Sequence, residues 1–216
     1  MNAEKHPVII MIGGPNGAGK TSLTQDLLLH KWVVEEGCEY INPDEIARDV
    51  FGDWNSPEAI RKAALEASRR RERCLEQGKS LVFESVMSAP DKIDFLRRTK
   101  AAGYFIRLFF VGTESPAICA ARVAQRVMQG GHTVPIEKIV SRWTKSITNC
   151  AIAARFVDRA YLYDNSVDQQ KATRLFRTVH GVVQKIYVED VNPWAKEVLS
   201  VLPLANSAAD EPAPGI

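Results

Sequence analysis

One short run near the amino terminus carries the densest chemical signal in the chain. Gly14-Pro15-Asn16-Gly17-Ala18-Gly19-Lys20-Thr21 matches G-x-x-x-x-G-K-[ST] at every specified position. Glycines at this spacing let a loop turn its backbone N–H groups inward around phosphate oxygens, and a helix starting at the lysine adds its positive end. In such a loop Lys20 reaches the β- and γ-phosphates of ATP or GTP, and the Thr21 hydroxyl ligates Mg²⁺. Gly14 through Thr21, with Ser22 next on the helix, form the candidate nucleotide-binding set. The bland alternative is a tight turn with a surface lysine. An apolar strand pattern before the run and a helical pattern after it favour the phosphate loop.

A phosphate loop does not by itself separate kinases from switches or motors. No glycine-rich coupling signature of a transporter ATPase is present, and no base-reading N-K-x-D segment of a regulatory GTPase. What the chain does offer is polar residues after its apolar runs, where open α/β sheets bind ligands. Asp44 follows the second run, Glu84 the third and Asp164 the last. A kinase needs a carboxylate to orient its acceptor hydroxyl and take the proton, and Asp44 is placed for that. It is equally placed to cap a helix over Glu45–Val50. Glu84, with Ser85 beside it, could serve a substrate hydroxyl, the water shell of Mg²⁺, or a salt bridge to an arginine. Arg122 and Arg126 stand four apart and share a helix face. Gly130-Gly131-His132-Thr133-Val134-Pro135 after them reads as a hinge with a stiff end, the makings of a lid over the phosphates, with His132 on the substrate side. The same residues also read as two solvent-facing arginines and a plain loop.

The elements that must position these groups alternate between short apolar strands and longer amphipathic helices. That pattern predicts an α/β fold of the P-loop NTPase kind, a nucleotide-kinase-like parallel sheet flanked by helices. Strands are expected at Val8–Ile12, Glu39–Asn42, Ser80–Phe83, Tyr104–Val111 and Tyr161–Tyr163. Helices are expected from Lys20 to about His30, from Ser56-Pro57-Glu58 to before Gly78, and over Pro90–Ala102, Pro116–Gln129 and Ile136–Phe156. Arg69–Arg73 reads as a solvated face. Thr173–Val179 and Val182–Val188 around His180-Gly181 predict a C-terminal β-hairpin. Residues 1–204 read as one domain and 205–216 as a disordered tail. Trp54 and Trp194 read as core, with an interface as the alternative.

Composition excludes several classes. The apolar fraction of 45% and charged fraction of 25% are those of a soluble globular protein. With 28 basic against 26 acidic residues, net charge is +2 and exerts no strong pull on nucleic acid or anionic membrane, local patches aside. The apolar run before the loop is far too short to span a membrane. Cys38, Cys74, Cys119 and Cys150 are too scattered for a zinc site or a disulfide frame. They read as buried reduced thiols, which points to the cytoplasm.

Five segments together resemble a known family. Gly13–Leu23 (GGPNGAGKTSL), Ile41–Ala47 (INPDEIA), Phe83–Ser88 (FESVMS), Arg122–Pro135 (RVAQRVMQGGHTVP) and Tyr163–Ser166 (YDNS) look like the zeta-toxin-like branch of P-loop kinases, over about residues 8–166. The first is generic to P-loop proteins; GGHTVP and NPDEIA are more specific. The resemblance implies phosphorylation of a sugar hydroxyl of UDP-N-acetylglucosamine with ATP or GTP and Mg²⁺, and an antitoxin protein as partner. It implies Asp44 as general base, Lys20 and Thr21 as phosphate and Mg²⁺ ligands, Glu84 as a substrate-site carboxylate, and Arg126 as the γ-phosphate clamp. The chain departs from the family where a second lid arginine is usual and His132 stands instead, leaving Arg122 or Arg142 to substitute. It also departs in the Phe83-Glu84-Ser85-Val86 turn. Two other readings compete: a nucleotide-dependent binding protein whose closure a partner reads, and a small-metabolite or antibiotic kinase.

Overall fold

The computed structural model describes residues 6–52, 56–131 and 133–205. Its centre is a seven-stranded sheet. The strands are β1 (Val8–Gly13), β2 (Glu39–Ile41), β3 (Leu81–Ser85), β4 (Phe105–Gly112), β5 (Arg159–Asp164), β6 (Thr173–Val179) and β7 (Val182–Ile186), in spatial order β2-β3-β1-β4-β5-β6-β7. The first five run parallel, so their carboxyl ends share one rim. The predicted hairpin exists and does more than fold on itself, since β6 pairs antiparallel with β5 and extends the sheet.

Helices cover both faces. They are α1 (Lys20–Leu23, continued by a π-helical segment Thr24–Glu35), α2 (Pro43–Asp49), α3 (Pro57–Glu76), α4 (Asp91–Ala101), α5 (Pro116–Met128), α6 (Ile136–Ala154) and α7 (Pro193–Leu199). The strand periodicity of two divides β1 between two cores. Ile9 and Met11 join a large cluster with α3, α4, α6 and α7, whereas Ile10 and Ile12 join a smaller one with α1 and α5. The first helix runs past His30 because Trp32 and Val33 still find apolar contact in the smaller cluster. The Ser56 hydroxyl accepts from Ala59 N at 3.1 Å and Pro57 opens α3, as the Ser-Pro-Glu signal implies.

Two features differ from the sequence reading. Arg71 is not on a solvated face: it is 4% exposed, its guanidinium packed over the edge-to-face pair of Phe83 and Phe95 at 5.3 and 5.7 Å from the ring centres. A short helix, α7, follows the hairpin, where Asn192-Pro193 supplies its start. It buries Trp194 to 2% exposure, which makes that residue core and not interface. Trp54 lies outside the described residues. The four cysteines are free and buried. No helix among the described residues is long and apolar enough to cross a membrane. Val183 exchanges backbone hydrogen bonds with Pro203 and Ala205, so the chain remains attached to β7 through residue 205. The remainder of the predicted tail, 206–216, lies outside the described residues.

Candidate active site

The phosphate loop closes over the carboxyl end of β1 and enters α1. Gly14 has φ 148°, and a Cβ there would stand 2.2 Å from the Val111 carbonyl oxygen, so β4 approaches too closely for any side chain. Gly19 caps α1 in the left-handed region at φ 95°. Asn165, just past β5, reaches over it and donates to the Ala18 carbonyl at 2.8 Å. The loop is thus held from two neighbouring strands. Lys20 folds back and donates from Nζ to the Gly14 and Pro15 carbonyls, both at 3.0 Å. Burial holds its pKa below the ordinary lysine value. The charges of Glu84 and Asp44 oppose that shift, while Arg126 adds to it.

Glu84 is 4% exposed near the end of β3 and forms no ion pair with an arginine among the described residues. A set of hydroxyls surrounds its carboxylate instead. Thr21 donates to Oε2 at 3.0 Å, while Thr24 and Tyr40 donate to Oε1, both at 2.8 Å. Burial and the Glu84 charge push the Tyr40 phenol well above its usual pKa, which keeps it a donor. Thr21 and Glu84 also test the fit of Mg²⁺. They offer hard oxygens beside the phosphate loop, and no group of three or more His, Cys, Asp or Glu able to hold a metal exists among the described residues. Mg²⁺ takes one or two protein oxygens and completes its shell with water and phosphate, so this donor set suits it.

Asp44 does not cap a helix. The cap of α2 is Asn42, whose Oδ1 accepts from Asp44 N at 3.0 Å, with Pro43 in the first turn. The helix therefore starts earlier than Glu45, and the Asp44 side chain is left exposed on its first turn. Ser85 accepts from Met87 N at 3.0 Å, turning the chain sharply enough that Met87 sits at φ 60°, costly for a residue with a side chain. Asn149 and Ser146 of α6 pin that turn by donating to the Met87 and Val86 carbonyls.

The arginines divide by role. Arg122 is committed to the segment after β5, pairing with Asp168 at 2.7 Å and donating to the Asn165 carbonyl at 2.7 Å. Arg126 is half-buried, and its Nε is buried without a hydrogen-bond partner. Arg142, from α6, donates to the Asn16 side chain of the phosphate loop at 3.1 Å. Gly131 N bonds back to the Arg126 carbonyl at 2.9 Å, and Val134 is buried in the smaller core. His132 lies outside the described residues.

These groups converge on one cavity of about 600 Å³. Its lining brings the cations Lys20, Arg122, Arg126 and Arg142 together with the carboxylates Asp44, Glu84 and Asp91 and with Thr21, Asn42 and Ser85. A second cavity of about 460 Å³ adjoins it and shares Gly17, Gly19, Ser22 and Arg122. Leu23 and Leu27 form an apolar wall there, and Val167–Ala172 closes the opposite side.

The family model for Zeta toxin matches residues 1–180. The chain belongs to the Zeta toxin family. No curated protein matches the sequence. Among solved structures, the AvrRxo1-ORF1:AvrRxo1-ORF2 complex with sulphate ions superposes at TM-score 0.65 with 17% identity, covering 90% of this chain and 63% of that one. The same complex with ATP gives 0.65 and 16%, with coverage of 93% and 64%. The chain therefore spans somewhat less than two thirds of these relatives. The PezAT chromosomal toxin–antitoxin system of Streptococcus pneumoniae gives 0.53 and 17%, with coverage of 93% and 86%. At such identities the likeness is one of fold.

Several parts of this Zeta-toxin site were beyond sequence reasoning. Asn165 was visible only as part of a strand-end segment, and nothing marked it as a clasp on the loop. Thr24 and Tyr40 belong to no motif, yet both donate to Glu84. Asp164, the third strand-end carboxylate, turns away from the site, accepting from Ser166 Oγ at 2.8 Å and Trp194 Nε1 at 2.9 Å.

Proposed function

We propose that this Zeta-toxin-family chain is a kinase that moves the γ-phosphoryl group of ATP or GTP to a hydroxyl of a small molecule, with a nucleotide sugar such as UDP-N-acetylglucosamine the first candidate. One observation carries the reading. Lys20 of the phosphate loop and Asp44, a carboxylate without a hydrogen-bond or ion-pair partner among the described residues, line the same cavity, and Asp44 is close enough for its charge to act on the Lys20 ammonium. The smaller cavity is where the base and ribose fit, because it opens at Gly17, Gly19 and Ser22 and offers an apolar wall.

On binding, Lys20 exchanges two loop carbonyls for phosphate oxygens. Arg126, with an unused buried donor, closes on the charge that spreads over the transferring group, and Arg142 reinforces the loop through Asn16. Thr21 and Glu84 would hold Mg²⁺, which supplies neutralisation of the β- and γ-phosphate charge. The acceptor oxygen forms its bond to the γ-phosphorus while the bond to the β–γ bridging oxygen breaks and the nucleoside diphosphate leaves. Asp44 orients the acceptor and takes its proton. The family and the toxin–antitoxin complexes among the structural neighbours support an antitoxin protein as partner, acting in the cytoplasm.

The test incubates wild type and Asp44→Asn with γ-labelled ATP, Mg²⁺ and UDP-N-acetylglucosamine, then a panel of other hydroxyl compounds. Transfer should fall by roughly 10²- to 10⁴-fold in the variant, the range for a general base. Equal transfer by both proteins would remove Asp44 from the mechanism. Nucleotide binding with no acceptor in the whole panel would favour a binding-only role.

A further inference from the structure

A second concentration of chemistry lies away from both cavities, on the sheet face that α1 covers only in part. Strand register places Arg107 directly beside Arg159, and Arg177 directly beside Lys185. Tyr161, two residues beyond Arg159, stands beside Arg177. Paired residues share a face of a sheet, so these side chains all emerge on one side. Like charges directly opposite each other on neighbouring strands are destabilising. Here two such pairs occur in adjoining rows, and no acid relieves them. Among the described residues, neither these four cations nor Arg174 forms an ion pair. Arg107 Nε is, in addition, buried without a hydrogen-bond partner.

The cations lie among aromatic rings. Arg107 sits over Trp32 and Phe105, both at 5.1 Å, while Arg174 at 5.3 Å and Lys185 at 5.1 Å flank the ring of Tyr187. Arg174, Arg177, Lys185 and Tyr187 are exposed. The net charge of +2 conceals this patch because acids are paired elsewhere, as Glu58, Glu66 and Glu72 are with bases of α3 and α4. None of the cations lines either cavity.

We propose that this face binds single-stranded nucleic acid, with phosphates on the two cation pairs and a base against the exposed ring of Tyr187, Tyr161 being already stacked on Phe109. An acidic peptide would satisfy the charges but leave the rings unused. Alternation of guanidinium and ring matches a ligand that alternates phosphate and base. The near-neutral composition exerts no strong overall pull on nucleic acid, and this patch is the local exception the proposal uses. The proposal rests on the sheet surface and is independent of phosphoryl transfer.

The test follows anisotropy of labelled oligo(U) and oligo(dT) of about 12 nucleotides, titrated with the full chain between about 50 and 200 mM salt. Four neutralised phosphates predict a log–log salt slope of roughly −3. Arg177→Glu with Lys185→Glu should weaken binding at least about tenfold and flatten the slope to roughly half. Tyr187→Ala should weaken it about fivefold or more. Circular dichroism should be unchanged in both, since the residues are exposed. Tighter binding of either oligomer identifies RNA or DNA as the ligand, and either supports the site. Three results would overturn it: no binding tighter than roughly 0.1 mM at the lowest salt, displacement by excess ATP analogue, which would put the oligomer on the phosphate loop, or equal displacement by poly-glutamate, which would make the face a dock for acidic protein.

Discussion

Arg126 burdens the nucleotide-free protein. Its Nε is buried without an acceptor, and its charge works against the ammonium of Lys20. A buried donor left without a partner costs about 1–3 kcal/mol. The side chain is only half-buried, so the lower end, about 1 kcal/mol, is the expected value. Arg126→Gln removes the charge and shortens the side chain. The nucleotide-free variant should therefore be more stable than wild type, with a melting temperature higher by about 2–4 °C for a chain of this size. Nucleotide should reverse the order. ATP at a hundred times its Kd stabilises wild type by about 2.7 kcal/mol, and a tenfold weaker Kd in the variant would halve that gain. Phosphoryl transfer should fall by about 10³-fold, as when an arginine facing the transition state is removed. Melts with and without ATP and Mg²⁺, together with label transfer, measure all three quantities. A variant that is less stable without nucleotide and transfers at the wild-type rate would refute the reasoning and make the guanidinium a packing element.

Gly14→Ala should abolish nucleotide binding in equilibrium titration, because its Cβ meets the Val111 carbonyl oxygen at 2.2 Å and neither backbone can yield. Asn42→Ala should cost about 1 kcal/mol in urea unfolding through loss of the α2 cap, and should lower transfer as well, since Asp44 loses the hydrogen bond that fixes its backbone. Trp194→Ala should cost about 3–5 kcal/mol and weaken nucleotide binding too, because the indole N–H holds Asp164 at the base of the Asn165 segment. The lowered pKa of Lys20 makes the unfolded chain bind more protons between the folded value and the ordinary lysine value. Stability should accordingly rise with pH through that alkaline window, and the wild-type minus Lys20→Met difference in urea unfolding should show the slope.

Legibility in the sequence followed how local the physical constraint was. The phosphate loop was readable because its backbone shape restricts residue type at each glycine, as the contact of Gly14 with β4 demonstrates. The buried parallel strands were readable as apolar runs, since both of their faces are covered. Asp44 remained ambiguous because Asn42 and Asp44 are both good caps flanking a proline, and only the observed bond from Asp44 N to Asn42 decides between them. Helix α7 escaped notice because at seven residues it is too short for a helical period, although Asn192-Pro193 announced its start. The cage around Glu84 could not have been read at all, as its donors come from α1, the π-helical segment and β2.

The position of Arg142 comes from tertiary structure and not from the lid motif. The family pattern asks for a second arginine near the glycine turn, where this chain has His132. Helix α6, which packs on α5, carries Arg142 to the Asn16 side chain of the phosphate loop. Arg122, which shares a helix face with Arg126, is meanwhile drawn away by Asp168 and the Asn165 carbonyl. Helical spacing alone would have paired Arg122 with Arg126. The tertiary fold puts Arg126 and Arg142 on the larger cavity alone, whereas Arg122 lines both cavities.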